Sequence, residues 1–193
     1  MKPLFTIHAG EYLAGSYIEN NLRDSNGEKV NLWIPSKDTG IDFLITDKSN
    51  KFTTSIQVKF SKDFLITHGR KEYQKHLLSH GWWTLDRKKI VESKADYWIF
   101  VLHTFNSKNM QYIILSPAEL YKRLNSIHPN SKRLQTYLWV SKDKKCWETR
   151  GLKKHETDDL VLNNGTTTQD RDFSPFLNNW SVLVGNWNTA NTP

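Results

Sequence analysis

The amino-acid sequence predicts a mixed α/β domain, and three observations carry the prediction. Apolar residues recur at helical spacing in an early segment, short apolar runs of strand length follow it, and "DYWIFVLHTF" is a near-continuous apolar run of the kind buried on both faces of a sheet. At 193 residues the chain suits one domain with embellishments rather than two independent cores. Hydrophobic residues make up 37% and aromatic residues 12%, enough large apolar area to fill a core.

In chain order, Gly10 to Arg23 is expected to be a helix. Leu13, Ala14, Tyr17, Ile18 and Leu22 recur at three- and four-residue steps on one stripe, and the Gly27 region ends it. A strand is expected at Val30 to Pro35, stopped by proline and "SKDTG". "IDFLIT" and "SIQVKF" then form a hairpin around a Ser49-Asn50 tip. The polar stretch 68–95 suggests a short helix near Glu72 to Leu78 and a loop around Gly81. "DYWIFVL" and "MQYIILS" are strands, and "PAELYKRLNSI" a helix with proline at its start. A basic hairpin, "TYLWVSKDKKCWETRGL", follows. The tail "DFSPFLNNWSVLVGNW" is expected to pack back on the core. The whole chain, 1–193, is thus one domain: a core over 10–125, a C-terminal embellishment over 126–187 and a frayed end at 188–193.

Composition narrows the function. One cysteine, Cys146, leaves no intramolecular disulfide and no multi-cysteine zinc site, and it has no evident base partner to make it a nucleophile. The N-terminus has no apolar signal-like run and no segment reaches a membrane span, so a cytoplasmic protein is expected. Net charge is +7, unevenly spread. Residues 1–60 balance at seven basic and seven acidic, whereas 61–95 carry eight against four and 121–154 ten against two. Such a field suits a polyanion, nucleic acid above all, although a lysine-rich solvated surface has the same composition.

The hairpin holds the chemistry. Side chains alternate along a strand, so Asp42 shares a face with Leu44 and Thr46, and Gln57 with Ser55 and Lys59. With the tip at Ser49-Asn50, paired residue numbers sum to 99, which sets Asp42 opposite Gln57 and Ile41 opposite Val58. The Asp42 carboxylate, the Gln57 side-chain oxygen and the Val58 carbonyl are hard oxygen donors suited to Mg²⁺, which keeps waters and binds phosphate beside one or two carboxylates. Lys59 beside them suits orienting a water or stabilising charge in displacement at phosphorus. On the helix, Glu11 falls near the apolar stripe at Ile18 and Leu22 while Glu19 faces away, so Glu11 is the candidate third acid.

Gly10-Glu11 opening a helix, Gly40-Ile41-Asp42, and Gln57-Val58-Lys59 together resemble the PD-(D/E)XK nuclease superfamily, in the branch where glutamine replaces the second acid. Holliday-junction resolvases and Mrr-type restriction nucleases are similar. The resemblance covers residues 10–60, with "DYWIFVL...MQYIILSPAEL" similar to the later strands and helix. It implies a restriction-endonuclease-like core, a central mixed sheet of about four or more strands flanked by helices. It also implies Asp42 as metal-binding acid, Gln57 as the substituted ligand, Lys59 as catalytic lysine and Glu11 as helix acid. The expected metal set is Asp42, Gln57, the Val58 carbonyl and Glu11, holding Mg²⁺ or Mn²⁺. The implied activity is endonucleolytic hydrolysis of DNA, leaving a 3′-hydroxyl and a 5′-phosphate, in restriction or in recombination and repair. Gln57 leaves fewer negative charges for the metal, so a DNA-binding module without cleavage is the first alternative and an RNA-directed nuclease the second. Paired cuts would favour a homodimer.

Arg70, Lys71, Lys75, Arg87, Lys88 and Lys89 are expected to contact phosphate as a group. Trp82 and Trp83 could stack a base, but anchoring a loop to the core is the plainer role for each. His76 and His80 stand four apart without further ligands nearby, which suits a solvated helix face.

Overall fold

The computed structural model describes residues 4–37, 39–62, 71–104, 109–185 and 187. Helix α1 (Leu4–Asn21) precedes strands β1 (Asn31–Trp33), β2 (Phe43–Thr46) and β3 (Thr53–Lys62). A one-turn helix α2 (Lys71–Gln74), strand β4 (Leu77–Asp86) and short helix α3 (Arg87–Val91) lead to β5 (Tyr97–Thr104), β6 (Asn109–Leu115) and α4 (Pro117–Ile127). Strands β7 (Arg133–Ser141) and β8 (Cys146–Glu148), helix α5 (Lys154–Leu162), a 3-10 turn and helix α6 (Val182–Gly185) complete the order.

The result is an α/β fold with a mixed five-stranded sheet, β1-β2-β3-β5-β6, and a three-stranded antiparallel sheet, β4-β7-β8. In the larger sheet β1, β2 and β3 form an antiparallel meander, β5 lies parallel to β3, and β6 returns antiparallel. Asp96 sets the parallel register at its start: its carboxylate accepts the amide and hydroxyl of Ser55 at 2.8 and 2.7 Å.

Period-two alternation gives the large sheet two apolar faces. Ile56, Val58, Ile99 and Val101 pack against Ala14 and Ile18 of α1 and against Trp180, Leu183 and Trp187 of the tail. Trp98, Phe100 and Leu102 pack the other way, against Trp83 and Leu85 of β4 and Leu120 and Leu124 of α4. β5 is therefore buried on both faces, as its apolar run predicts, and the tail does return to the core. Residues 188–193, expected to fray, lie outside the described residues.

Gly10 sets how closely α1 approaches. A Cβ there would stand 2.5 Å from Phe60 Cβ, a contact neither backbone can relieve by a rotamer change. Gly10→Ala should therefore destabilise the fold by about 1–3 kcal/mol despite alanine's better helix propensity. Thermal melts of the two proteins measure the difference.

The hairpin follows the expected register, Phe43 opposite Ile56 and Leu44 opposite Ser55. Its turn holds Asn50 at φ +57°, and the Asp47 carboxylate accepts the amides of Lys51 and Phe52 at 2.7 and 2.9 Å. The Phe52 amide first, then the Ser49 hydroxyl and the Lys51 amide, hold Asp47 below its ordinary acidity range.

The stretch around Gly81 departs from expectation: it is the middle of β4, and the helix near Glu72 closes after Gln74. Ser79 and Gly81 take inward positions of the alternation, and the indole of Trp83 folds over Gly81, where a Cβ would collide with the ring. Small residues on the inner face thus mask the alternation that marks a strand. His76 follows α2 and is exposed, whereas His80 lies in β4, buried beside Trp139, so the two share no helix face. β4, from within 10–125, pairs with β7 from the C-terminal part. No helix among the described residues is long and apolar enough to cross a membrane.

Candidate active site

The site forms where β2 meets β3. Gly40, at φ +81°, adopts the left-handed backbone that a side chain resists, and turns the chain into the strand. Two residues on, Asp42 donates its amide to the Ile56 carbonyl at 2.8 Å, and its Oδ2 accepts the Val58 amide at 2.6 Å. The carboxylate thus continues the ladder with a side chain, standing at the backbone between Gln57 and Lys59. The paired register runs from Phe43 opposite Ile56 to Thr46 opposite Thr53, and Asp42, one residue before it, meets β3 through these two bonds.

Gln57 and Lys59 project from the sheet face away from α1, into a cleft of about 660 Å³. Gly40, Asp86, Lys89, Glu92, Lys94 and Trp98 are among its walls. In the parallel pairing Gln57 stands beside Trp98, and Lys59 Nζ lies 5.1 Å from the Trp98 ring centroid. Trp98 is buried and its indole N–H donates to Ser93 Oγ at 2.9 Å, so the ring that orients Lys59 is itself fixed. Such a cation over a desolvated indole is stabilised by about 0.5–2 kcal/mol. Trp98 is the neighbour of Lys59 that sequence reasoning missed; only the β3–β5 pairing brings it there.

Glu11 comes from the helix. It rides on α1, against the sheet face that carries Val58 and Phe60, and its carboxylate lies 3.2 Å from His8 Nδ1. It is not among the described residues lining the Gln57–Lys59 cleft. Asp42 meets the Val58 amide between Gln57 and Lys59, and Glu11 stands on α1 beside His8.

Among the described residues no three His, Cys, Asp or Glu side chains stand together as a metal site. The donors at β2–β3 are one carboxylate, one amide oxygen and one peptide carbonyl. That set fits a hard, largely hydrated cation such as Mg²⁺, whose remaining ligands are waters and phosphate.

The expected phosphate contacts divide. Arg70 lies outside the described residues. Lys71 and Lys75 are exposed around α2, and Lys88 is exposed beside Glu92 at 3.7 Å. Lys89 lines the cleft. Arg87 does not extend toward solvent: its guanidinium donates to the carbonyls of Ser131 and His128 at 2.9 and 2.7 Å and to Asn125 Oδ1, tying α3 to the α4–β7 turn. Its donors already serve backbone carbonyls and an amide oxygen, so a phosphate there would share or displace those bonds.

A second ionisable cluster lies under the smaller sheet. Glu148 is wholly buried, its Oε2 accepting Arg171 Nη1 at 2.7 Å and its Oε1 accepting the amides of Arg150 and Tyr137 at 3.0 and 3.3 Å. Burial outweighs Arg171 and those bonds and pushes the carboxyl up to about 7. His128, 3.8 Å away, is held below its ordinary value by burial and then by Arg171, Arg150 and Arg87. Cys146 is fully buried, which raises its thiol well above the usual range and leaves it inert as a nucleophile.

No protein-family model, curated protein or solved structure matches the chain, and the functional reading rests on the geometry of Asp42, Gln57, Val58 and Lys59.

Proposed function

We propose that the chain is a Mg²⁺-dependent endonuclease of the PD-(D/E)XK type in its glutamine-substituted form, acting on DNA. The observation that supports it best is the Asp42 carboxylate on the Val58 amide, between a glutamine and a lysine that open into one cleft. The mixed sheet, a meander with a parallel neighbour beside its third strand, is in keeping with such a core.

Asp42, the Gln57 oxygen and the Val58 carbonyl would hold the metal, with Mn²⁺ able to substitute. Bound there, the metal supplies charge neutralisation at phosphate and a more acidic water. Lys59, kept in place by Trp98, donates to the attacking water or to a phosphate oxygen as charge builds there. Lys89 and Lys94 on the cleft wall draw the backbone in.

Nicking of supercoiled plasmid, branched DNA and RNA with Mg²⁺, Mn²⁺ or EDTA tests the reading. Metal-dependent cutting of DNA that drops to the EDTA background in Asp42→Ala is the expected result. Cutting confined to RNA would reassign the substrate.

One observation favours the second reading, a DNA-binding module that does not cut. Among the described residues lining the cleft, the carboxylates are Asp86 and Glu92 and neither expected acid, Asp42 meeting the Val58 amide and Glu11 lying beside His8. In that case no substrate is cut, and Asp42→Ala binds DNA as well as the wild type or better, because a negative charge near phosphate is gone.

A further inference from the structure

The outward face of the smaller sheet carries a second cleft, of about 580 Å³, whose walls include Trp82, Thr84, Gln135, Arg133, Arg150 and His128. Antiparallel pairing puts these side chains in one layer: Trp82 lies opposite Tyr137, Thr84 opposite Gln135 and Asp86 opposite Arg133. Trp82 and Trp83 therefore have opposite fates. Trp83 is buried in the core, edge-on to Phe100 with centroids 5.0 Å apart, whereas Trp82 is 45% exposed.

Across the face runs a line of planar groups. Trp82 meets Tyr137 edge-on, centroids 6.3 Å apart, and the Arg150 guanidinium lies 5.4 Å from the centre of the Tyr137 ring. Glu148 braces the layer from beneath by accepting the amides of Tyr137 and Arg150. Its own charge is matched by Arg171, which leaves the positive potential of Arg133 and Arg150 uncancelled from below. Residues 121–154 hold ten basic side chains against two acidic ones, and one of those two is the buried Glu148.

We infer that this face binds an unpaired nucleotide of a nucleic-acid strand, the base stacking on Trp82 and the adjoining phosphates meeting Arg133 and Arg150. An indole flanked by guanidiniums and amide and hydroxyl donors matches the alternation of π-faces and phosphates along a single strand. An acidic peptide would use the arginines and leave the indole without a role. Thr84 lines both this cleft and the one holding Lys59, so a strand seated on Trp82 runs on toward the candidate active site. The substrate would then be a branched, frayed or single-stranded nucleic acid rather than an uninterrupted duplex. The inference rests on the nucleic-acid half of the proposed function and not on cleavage.

The test is fluorescence anisotropy in EDTA, with a labelled thymidine strand of about 15 nucleotides and an abasic strand of the same length. Trp82→Ala should weaken binding of the thymidine strand about ten- to a hundredfold and leave the abasic strand alone, with Trp82→Phe recovering most of the loss. Arg133→Gln and Arg150→Gln should weaken both strands. Thermal melts of each variant show that the fold persists. Binding is read in EDTA, where no metal-dependent cutting occurs, so loss of the cleavage reading leaves this result intact. Equal binding of the thymidine strand by wild type and Trp82→Ala would overturn the inference. So would displacement by poly-glutamate as effective as by unlabelled strand, or no strand binding by the wild type.

Discussion

Replacing Glu148 with alanine is expected to destabilise the fold by about 3–5 kcal/mol, a large share of a domain's usual margin. The loss arises from what is left behind. Arg171 would keep its guanidinium among buried groups without its carboxylate, and the amides of Tyr137 and Arg150 would lose their acceptor. Urea melts give the value directly. Glu148→Gln keeps an acceptor for the amides while removing the charge, and should cost less. A loss under about 1 kcal/mol in Glu148→Ala, the scale of an exposed pair, would show that the cluster is not closed to water.

The same residue gives stability a pH dependence of definite sign. Its carboxyl titrates near 7 when folded and at an ordinary acid value when unfolded, so between those limits the folded state holds the extra proton. Stability from this group is full at acid pH and falls as pH rises toward 7, after which it levels. His128 acts oppositely, because a lowered folded pKa means the unfolded state takes up the proton first, so stability rises as pH climbs toward the ordinary histidine range. The two effects overlap and partly cancel in the wild type. In Glu148→Gln only the rising part remains, and comparing the two curves separates them.

What could be read from the sequence was local. The β2–β3 register needed only a turn residue that tolerates positive φ and two alternating runs, and it placed Asp42, Gln57 and Lys59 on neighbouring backbone. Helix α4 announced itself by Pro117 in its first turn, and Ser116, whose hydroxyl accepts the Glu119 amide, caps it in the structure. What stayed hidden depended on distant partners. Arg87 has the look of a solvent arginine until the α4–β7 turn folds its carbonyls around it. Trp82 and Trp83 are one residue type in adjacent positions, and only the strand, obscured by Ser79 and Gly81, tells inner from outer.

Lys59→Met should lower the rate of DNA cleavage about 10²- to 10³-fold, the scale of removing one preorganised donor from a developing oxyanion. Methionine keeps the length and packing of the stem while deleting the charge over Trp98, so the melt should shift little. Strand affinity in EDTA should change much less than turnover, because one phosphate contact among several is lost. Lys59→Arg should restore part of the rate, since the cation returns in a wider, planar form that the Trp98 face accommodates imperfectly. Trp98→Phe provides the companion measurement: it leaves a ring beneath the ammonium but deletes the donor to Ser93, and should fall between wild type and Lys59→Met. A purely structural lysine would move the melting curve and the rate together in all three proteins. If the wild type cuts nothing, the same substitution still reports on the cleft, for a lysine that only meets phosphate should reduce the salt dependence of binding by about one counterion.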